Sequence, residues 1–316
     1  MAEPPEPSTD APLFIVLNAG SGHNDAAATR GVIEGVLARA GREHRVLLVE
    51  DPQRLREIAA QAVAQARARD GVVVAAGGDG TINTVAQATL GSGCAFGVLP
   101  QGTFNYFGRA HGIPADTAAA TLLLLTARAQ PVQVGLVNER VFLVNASLGL
   151  YPQLLEDREA YKKQLGRSRP VAFAAGLMTL LREHRTLRLG IDLHGRTRDL
   201  RTPTLFVGNN ALQMEQIGIP HAIEQGQLAA ISLRPVGTLA MLWLLVRGAL
   251  SKLGDADNVL CFDFRTLTVT VSLSPRRTRR GVKVATDGEV VRMAPPLVFS
   301  VSPEPLYLLK PEPGAA

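Results

Sequence analysis

Val72-Val-Val-Ala-Ala-Gly77-Gly-Asp-Gly-Thr81-Ile-Asn83 is the stretch from which the fold can be read. Val72–Ala76 is an unbroken run of small and β-branched residues, the composition of a strand covered on both faces, as in a parallel sheet. Ile82, Val85 and Ala86 then begin a helical stripe. Strand, glycine turn and helix in succession aim free backbone N–H groups and a helix N-terminus at an incoming anion. Gly77, Gly78 and Gly80 let a phosphate approach the backbone with no Cβ in the way. Asp79 is the odd member, because a carboxylate among phosphates is repelled unless a cation bridges the two or the carboxylate acts as a base. The stretch therefore points to a metal–nucleotide site in which Mg²⁺ offsets both charges. The plain alternative is a tight turn that contains an aspartate.

The same reading extends on either side. Leu13–Leu17 is a short apolar strand that runs into Asn18-Ala-Gly-Ser21-Gly22, a second small-residue turn. Asn24 or Asp25 can cap a helix whose stripe is Ile33, Val36, Leu37 and Ala40, and Gly41 ends it. Arg45–Val49 is a strand, and Pro52 starts a helix with Leu55, Ile58, Ala59, Ala62, Val63 and Ala66 on one face. Phe96–Leu99 is a further strand, leading to Pro100-Gln-Gly102-Thr103-Phe-Asn105 and a helix around Ala115–Ala127. Alternating strands and helices with small-residue turns after three strands describe a doubly wound α/β domain, in which ligands bind at the carboxyl ends of the strands. Beyond Val134 the texture changes to short pieces: Val141–Asn145, Leu187–Leu193, Thr204–Val207, Leu228–Leu233, Leu267–Leu273, Val282–Ala285 and Leu297–Val301. With a helical insertion around Glu156–Arg185, they read as an antiparallel sandwich or barrel.

Composition narrows the classes. At 316 residues and 46% hydrophobic content, two domains with real cores are expected. Cys94 and Cys261 stand in apolar surroundings, which argues against a disulfide framework and fits a reducing cytoplasm. The histidines show no metal-ligand spacing. The net charge of +5 is concentrated in Lys162-Lys163, Arg167–Arg169 and Arg276–Arg280, runs that are solvated faces or a means of meeting an anionic membrane surface. Aromatic residues make up 5% and do not interleave with these runs, so nucleic acid is not an expected partner. Residues 1–11 read as a disordered tail without a signal-peptide pattern, and the apolar runs are too short to span a bilayer. The apolar stretches Val171–Leu181 and Leu239–Leu250, the latter with Trp243, are either core or an interfacial groove for acyl chains.

Taken in order, four motifs resemble the diacylglycerol kinase catalytic-domain family, which includes bacterial lipid kinases and sphingosine kinases. Asn18–Gly22 is similar to its first nucleotide turn, Gly77–Thr81 with Asn83 to its GGDGT-x-N signature, Pro100–Asn105 to its P-x-G-T-x-N turn, and Asp287-Gly-Glu289 to its late DGE. The resemblance implies an ATP-binding α/β domain over residues 12–133, to which 303–312 returns, and a β-rich lipid domain over 134–302. It implies ATP and Mg²⁺ as cofactors, a lipid acceptor, cytoplasmic location with peripheral membrane contact, and leaves room for a homodimer. Asn18, Ser21, Gly22, Gly77, Gly78, Asp79, Gly80, Thr81, Asn83, Gly102 and Thr103 would bind the nucleotide, Asp79 would hold the metal, Asp287 would share the metal or orient Glu289, and Glu289 would accept the proton. The chain departs from the family pattern at Thr84, Tyr106 and Gln225, the last beside Glu224 where some members place a metal-binding Asp.

Transfer of the γ-phosphoryl group to an alcohol needs the phosphate positioned, its charge neutralised and the hydroxyl proton removed. In this chain no Walker lysine is present, so metal and backbone carry the charge. Glu289 in Thr286-Asp-Gly-Glu289 is the expected base, although Asp-Gly is also the standard hairpin dipeptide, and the roles of Asp79 and Glu289 can be exchanged. The expected activity is a lipid kinase, with diacylglycerol as the acceptor by resemblance. An NAD kinase-like enzyme and a catalytically silent nucleotide- or lipid-binding regulator are the alternatives.

Overall fold

The structure is a computed structural model and describes residues 8, 10–20, 26–149, 152, 186–193, 195–216, 223, 225–235, 258–272 and 281–312. Residues 1–7 and 9 of the expected tail, the Asn24–Asp25 cap, the Glu156–Arg185 insertion, the apolar stretches Val171–Leu181 and Leu239–Leu250, and the three basic runs lie outside the described residues. The chain divides into two compact units, Met1–Val134 with Ser302–Ala316, and Gly135–Val301.

The first unit follows the alternation of its sequence. Its elements are β1 (Leu13–Asn18), α1 (Ala26–Arg39), β2 (His44–Val49), a 3-10 turn at Pro52–Arg54, α2 (Leu55–Arg67), β3 (Val72–Gly77), α3 (Asp79–Thr89), β4 (Ala95–Pro100), α4 (Tyr106–Ala110), α5 (Thr117–Thr126) and β5 (Arg128–Val132). β3 and β4 are buried at every position, as their uninterrupted apolar runs require. All six apolar residues expected on one face of α2 are buried. Asp51 caps the preceding 3-10 turn by accepting the Gln53 N–H at 2.9 Å. In α1 the stripe Ile33, Val36 and Leu37 is buried, whereas Ala40 lies past the helix end, in the turn that Gly41 closes at φ +65°. The sheet order is β2-β1-β3-β4, then the C-terminal strand Leu306–Lys310, then β5. β1 pairs in parallel with both β2 and β3, and β3 with β4. The connection after β2 therefore returns across β1, a topological switch that leaves the carboxyl ends of β1, β3 and β4 on one edge.

The second unit contains β6 (Gly135–Val137), β7 (Arg140–Phe142), β8 (Asn145–Gly149), β9 (Leu187–Leu193), β10 (Arg196–Thr202), β11 (Thr204–Gly208), α6 (Ala211–Gln216), β12 (Leu228–Leu233), β13 (Val259–Phe264), β14 (Thr266–Val271), β15 (Val282–Thr286), β16 (Glu289–Met293) and β17 (Leu297–Val301). They form two sheets, β10-β9-β14-β17-β6-β7 and β13-β12-β11-β8-β15-β16. Apolar residues at alternate positions of both, among them Phe142, Leu148, Leu189, Leu205, Val269, Val284 and Phe299, make one core, so the unit is a sandwich as expected.

Two features differ from the sequence reading. The run Val141–Asn145 is not one strand: it breaks at Leu143-Val144, so that β7 joins one sheet and β8 the other. The break is stabilised because the N–H groups of Leu143, Val144 and Asn145 bond to the Asp287 carboxylate. The polar strand β10, Arg-Thr-Arg-Asp-Leu-Arg-Thr, was not expected at all. Among the described residues it is an edge strand paired only with β9, where charged side chains are the usual protection.

Candidate active site

Three turns of the first unit meet at the carboxyl edge of its sheet. The Asn18 amide at the end of β1 donates from Nδ2 to Thr81 Oγ1 at 2.8 Å and accepts the Gly20 N–H at Oδ1 at 3.0 Å. The Gln101 N–H bonds to the Gly77 carbonyl at 2.8 Å, which ties the turn after β4 to the end of β3. Gly102 approaches so closely that a Cβ there would lie 3.0 Å from the Gly78 Cα and 2.8 Å from Asn105 Oδ1. The same Asn105 oxygen takes the Gly102 N–H at 2.9 Å, and Asn105 itself is buried in a left-handed conformation at φ +48°. α3 starts at Asp79 with Gly78 as an extended N-cap, so the first N–H groups of the helix have no carbonyl of their own.

Asp79 occupies the first position of α3 and binds this cluster together. The backbone N–H groups of Phe107, Asn105 and Tyr106 hydrogen-bond to its carboxylate. Burial nevertheless dominates: it pushes the Asp79 carboxyl above the ordinary carboxylate range, and the three N–H groups only partly oppose it. The reason is visible in Oδ1, which is buried and has no hydrogen-bond partner. An orphaned, anionic, hard oxygen at a helix start is a donor that suits Mg²⁺, which takes few protein carboxylates and completes its shell with water and phosphate. Among the described residues no group of three or more metal-ligating side chains exists, so a cation here would rely on Asp79 and on the nucleotide's own oxygens.

The second unit carries the other two expected carboxylates. Thr286 and Glu289 pair across a two-residue turn in which Asp287 and Gly288 have φ of +46° and +88°, a hairpin that an Asp-Gly pair adopts readily. The Asp287 side chain has a task other than the metal ligation expected of it. Oδ2 accepts the Leu143 N–H at 2.7 Å, and Oδ1 accepts those of Val144 and Asn145, each at 2.9 Å. Its own N–H donates to the Asn145 carbonyl at 2.9 Å. A carboxylate so engaged clamps the backbone at the break between β7 and β8. Glu289 is half-exposed, and its Oε2 accepts a hydrogen bond from Arg140 Nη2 at 2.7 Å.

A model of the diacylglycerol kinase catalytic domain matches residues 12–137, the span of the three turns. A Pseudomonas putida protein named "Probable lipid kinase YegS-like" is 30% identical over 246 residues, covering 76% of this chain and 77% of that protein. The chain belongs to the diacylglycerol kinase catalytic-domain family. A protein of the same name from Pseudomonas aeruginosa is 39% identical over 149 residues, 46% of this chain and 48% of its own length. The chain thus spans about half the length, or less, of several curated relatives it matches. The crystal structure of a diacylglycerol kinase from Bacillus anthracis superposes with a TM-score of 0.71 over 96% of this chain and 98% of that one. At 19% identity that likeness concerns the fold.

In the family's motifs, then, Asn18, Gly77, Gly78, Asp79, Gly80, Thr81 and Gly102 fall together in the first unit, and Thr103 is exposed beside them. Asn83 is 6% exposed, one turn into α3. Ser21 and Gly22 lie outside the described residues, as does Glu224. The departures from the family pattern disturb this little. Tyr106 reaches Asp79 through its main-chain N–H, which any residue but proline supplies, and its ring stacks on Phe104 at 5.9 Å. The Thr84 hydroxyl bonds within the helix to the Gly80 carbonyl at 3.0 Å. Arg140 escaped the sequence reading, because nothing in Asn138-Glu-Arg-Val-Phe142 marks it, whereas Asn105 stands in the P-x-G-T-x-N turn.

Proposed function

We propose that the chain is an ATP- and Mg²⁺-dependent lipid kinase that phosphorylates a lipid hydroxyl, with diacylglycerol as the acceptor. The observation that carries this reading is the convergence of three small-residue turns around Asp79, whose Oδ1 is buried without a partner. In this proposal the N–H groups of Gly77, Gly78, Gly80 and Thr81 hold phosphate oxygens, Gly102 gives the backbone room, and the Thr103 hydroxyl donates to the nucleotide. Asn18 fixes the Thr81 side chain, and Asn83 lies buried one turn into the helix. Asp79 would hold Mg²⁺, which when bound neutralises charge on the transferring phosphoryl group. Glu289 would take the acceptor's hydroxyl proton as its oxygen attacks the γ-phosphorus and ADP leaves.

A lipid acceptor is supported by the family and by a cavity of about 530 Å³ in the second unit, lined by Ile191, Leu193, Leu200, Leu260 and Phe262 with Arg198 and Asp199. Among the described residues no helix is long and apolar enough to cross a membrane. We infer from the basic runs of the sequence that the lipid is met at an anionic membrane face.

The test is incubation with γ-labelled ATP, Mg²⁺, NAD and vesicles of a total bacterial lipid extract, followed by mass identification of the labelled product. Label in diacylglycerol's product supports the full proposal, and label in another lipid corrects the acceptor alone. Label appearing in NADP instead, or ATP binding without any transfer, would overturn the lipid-kinase reading.

A further inference from the structure

We propose that Arg140 is a positioning residue that aims the carboxylate of Glu289; the proposal rests on the reading of Glu289 as proton acceptor. Arg140 begins β7, the edge strand of one sheet of the second unit, and Glu289 begins β16, the edge strand of the other. The guanidinium crosses from the first edge to the second and divides its donors. Nη2 bonds to Glu289 Oε2 at 2.7 Å, and Nε bonds to Thr286 Oγ1 at 2.9 Å. Thr286 is 1% exposed and is the cross-strand partner of Glu289, so one planar group grips both residues that close the hairpin. The arginine side chain is 19% exposed and the glutamate 50%, which leaves the base open on one side while its other side is held.

Chain geometry fixes the arginine in turn. Three residues beyond it, the N–H groups of Leu143, Val144 and Asn145 are held by Asp287, the residue between Thr286 and Gly288 in the same hairpin. The short β7 segment is thus tied to the hairpin at two places, by its side chain at Arg140 and by its backbone at 143–145. A lysine could meet one of the two acceptors but has no rigid fork to meet both. Surface ion pairs of this exposure add little to folding stability, so holding the carboxylate in one orientation is the larger consequence of the contact. Only Oε2 of Glu289 is bonded to Arg140, and Oε1 is the oxygen left to receive a proton.

The experiment measures transfer from γ-labelled ATP to vesicles of a total bacterial lipid extract by the full chain and by Arg140→Gln, Arg140→Lys, Glu289→Gln and the double variant Arg140→Gln/Glu289→Gln. Arg140→Gln is expected to lower kcat by roughly 10- to 100-fold, the effect of a small misplacement of a reacting group, with KM for ATP nearly unchanged. Arg140→Lys should recover part of the loss, and added guanidinium should partly rescue Arg140→Gln. The double variant should be no slower than Glu289→Gln alone, because an arginine that acts through Glu289 has nothing left to aim. Losses that multiply in the double variant, or an effect confined to KM for ATP, would overturn the positioning role while leaving the base assignment intact. Full turnover by Glu289→Gln would instead overturn the base assignment, and absence of transfer by the unaltered chain would overturn the kinase reading. If Arg140→Gln fails to fold, as judged by circular dichroism, the comparison of Arg140→Lys with and without Glu289→Gln decides in the same way.

Discussion

Asp79 and Asp287 stand in equivalent local settings. Each follows the end of a strand, each is followed by a glycine, and each carboxylate gathers the N–H groups of three consecutive residues elsewhere in its own unit, at the start of α4 for Asp79 and at the β7–β8 break for Asp287. They differ in how far they are satisfied. Both oxygens of Asp287 have donors, so its charge is compensated and its work is to hold the break between β7 and β8. Asp79 retains a buried oxygen with no partner, and burial raises its pKa despite the three N–H groups. A satisfied buried charge fixes a backbone, whereas an under-satisfied one is a local cost that a ligand can relieve. The same Asp-Gly dipeptide thus serves as a clamp in the second unit and as a candidate cation site in the first.

Breaking the satisfied clamp should give the largest change in stability. Asp287→Ala strands three buried or half-buried N–H groups and is expected to destabilise the protein by about 3 to 4 kcal/mol, read from urea unfolding. Asp287→Asn keeps an acceptor oxygen and should lose about half as much. In the first unit the equivalent intervention is Gly102→Ala. Its methyl would meet Asn105 Oδ1 at 2.8 Å and the Gly78 Cα at 3.0 Å, so the turns must part, at about 2 kcal/mol and with weaker ATP binding by calorimetry.

Acid should loosen the first unit through His111, which lies just beyond α4. Its ring packs edge-on against Phe107 at 4.7 Å, and burial, then the charge of Lys310, pushes its pKa down to about 4. A depressed histidine contributes stability that is present above its ordinary value and lost as pH falls toward the folded one. The unfolding free energy should therefore fall between about pH 6.5 and 4, by about 3 kcal/mol, and His111→Phe should flatten that slope.

The smallest effect has the opposite sign. Asp79→Asn removes the uncompensated charge and should stabilise the protein near pH 7 by about 1 kcal/mol. A carboxyl with a raised pKa favours the folded state below its unfolded value and loses that contribution as pH rises through the folded one. The advantage of Asp79→Asn should therefore shrink as the pH falls toward the ordinary carboxylate range, a trend that thermal unfolding across pH would show.

Much of this was legible before any coordinates. The six buried positions of α2, the all-apolar β3 and β4, and the alternating strands of the sandwich follow from periodicity, because burial on one face or two leaves a direct trace in residue choice. The turn residues of the first unit were legible because glycines and an Asx residue at strand ends have few other uses. What was hidden depends on partners distant in sequence. The break at Leu143-Val144 requires Asp287, more than a hundred residues on, and the Arg140–Glu289 pair spans a similar interval. Edge strand β10 was hidden for a different reason: its charged residues protect an open edge and erase the alternation that would have announced it.

The central claim is that Asp79 is kept under-satisfied because the reaction uses it. The direct measurement is the transfer of label from γ-labelled ATP to lipid by Asp79→Asn, alongside its ATP binding and thermal midpoint. The account predicts a folded protein, no less stable than the unaltered chain near pH 7, that transfers at least about a hundredfold more slowly, some 2.7 kcal/mol of barrier. A stable Asp79→Asn protein with near-normal transfer would contradict it.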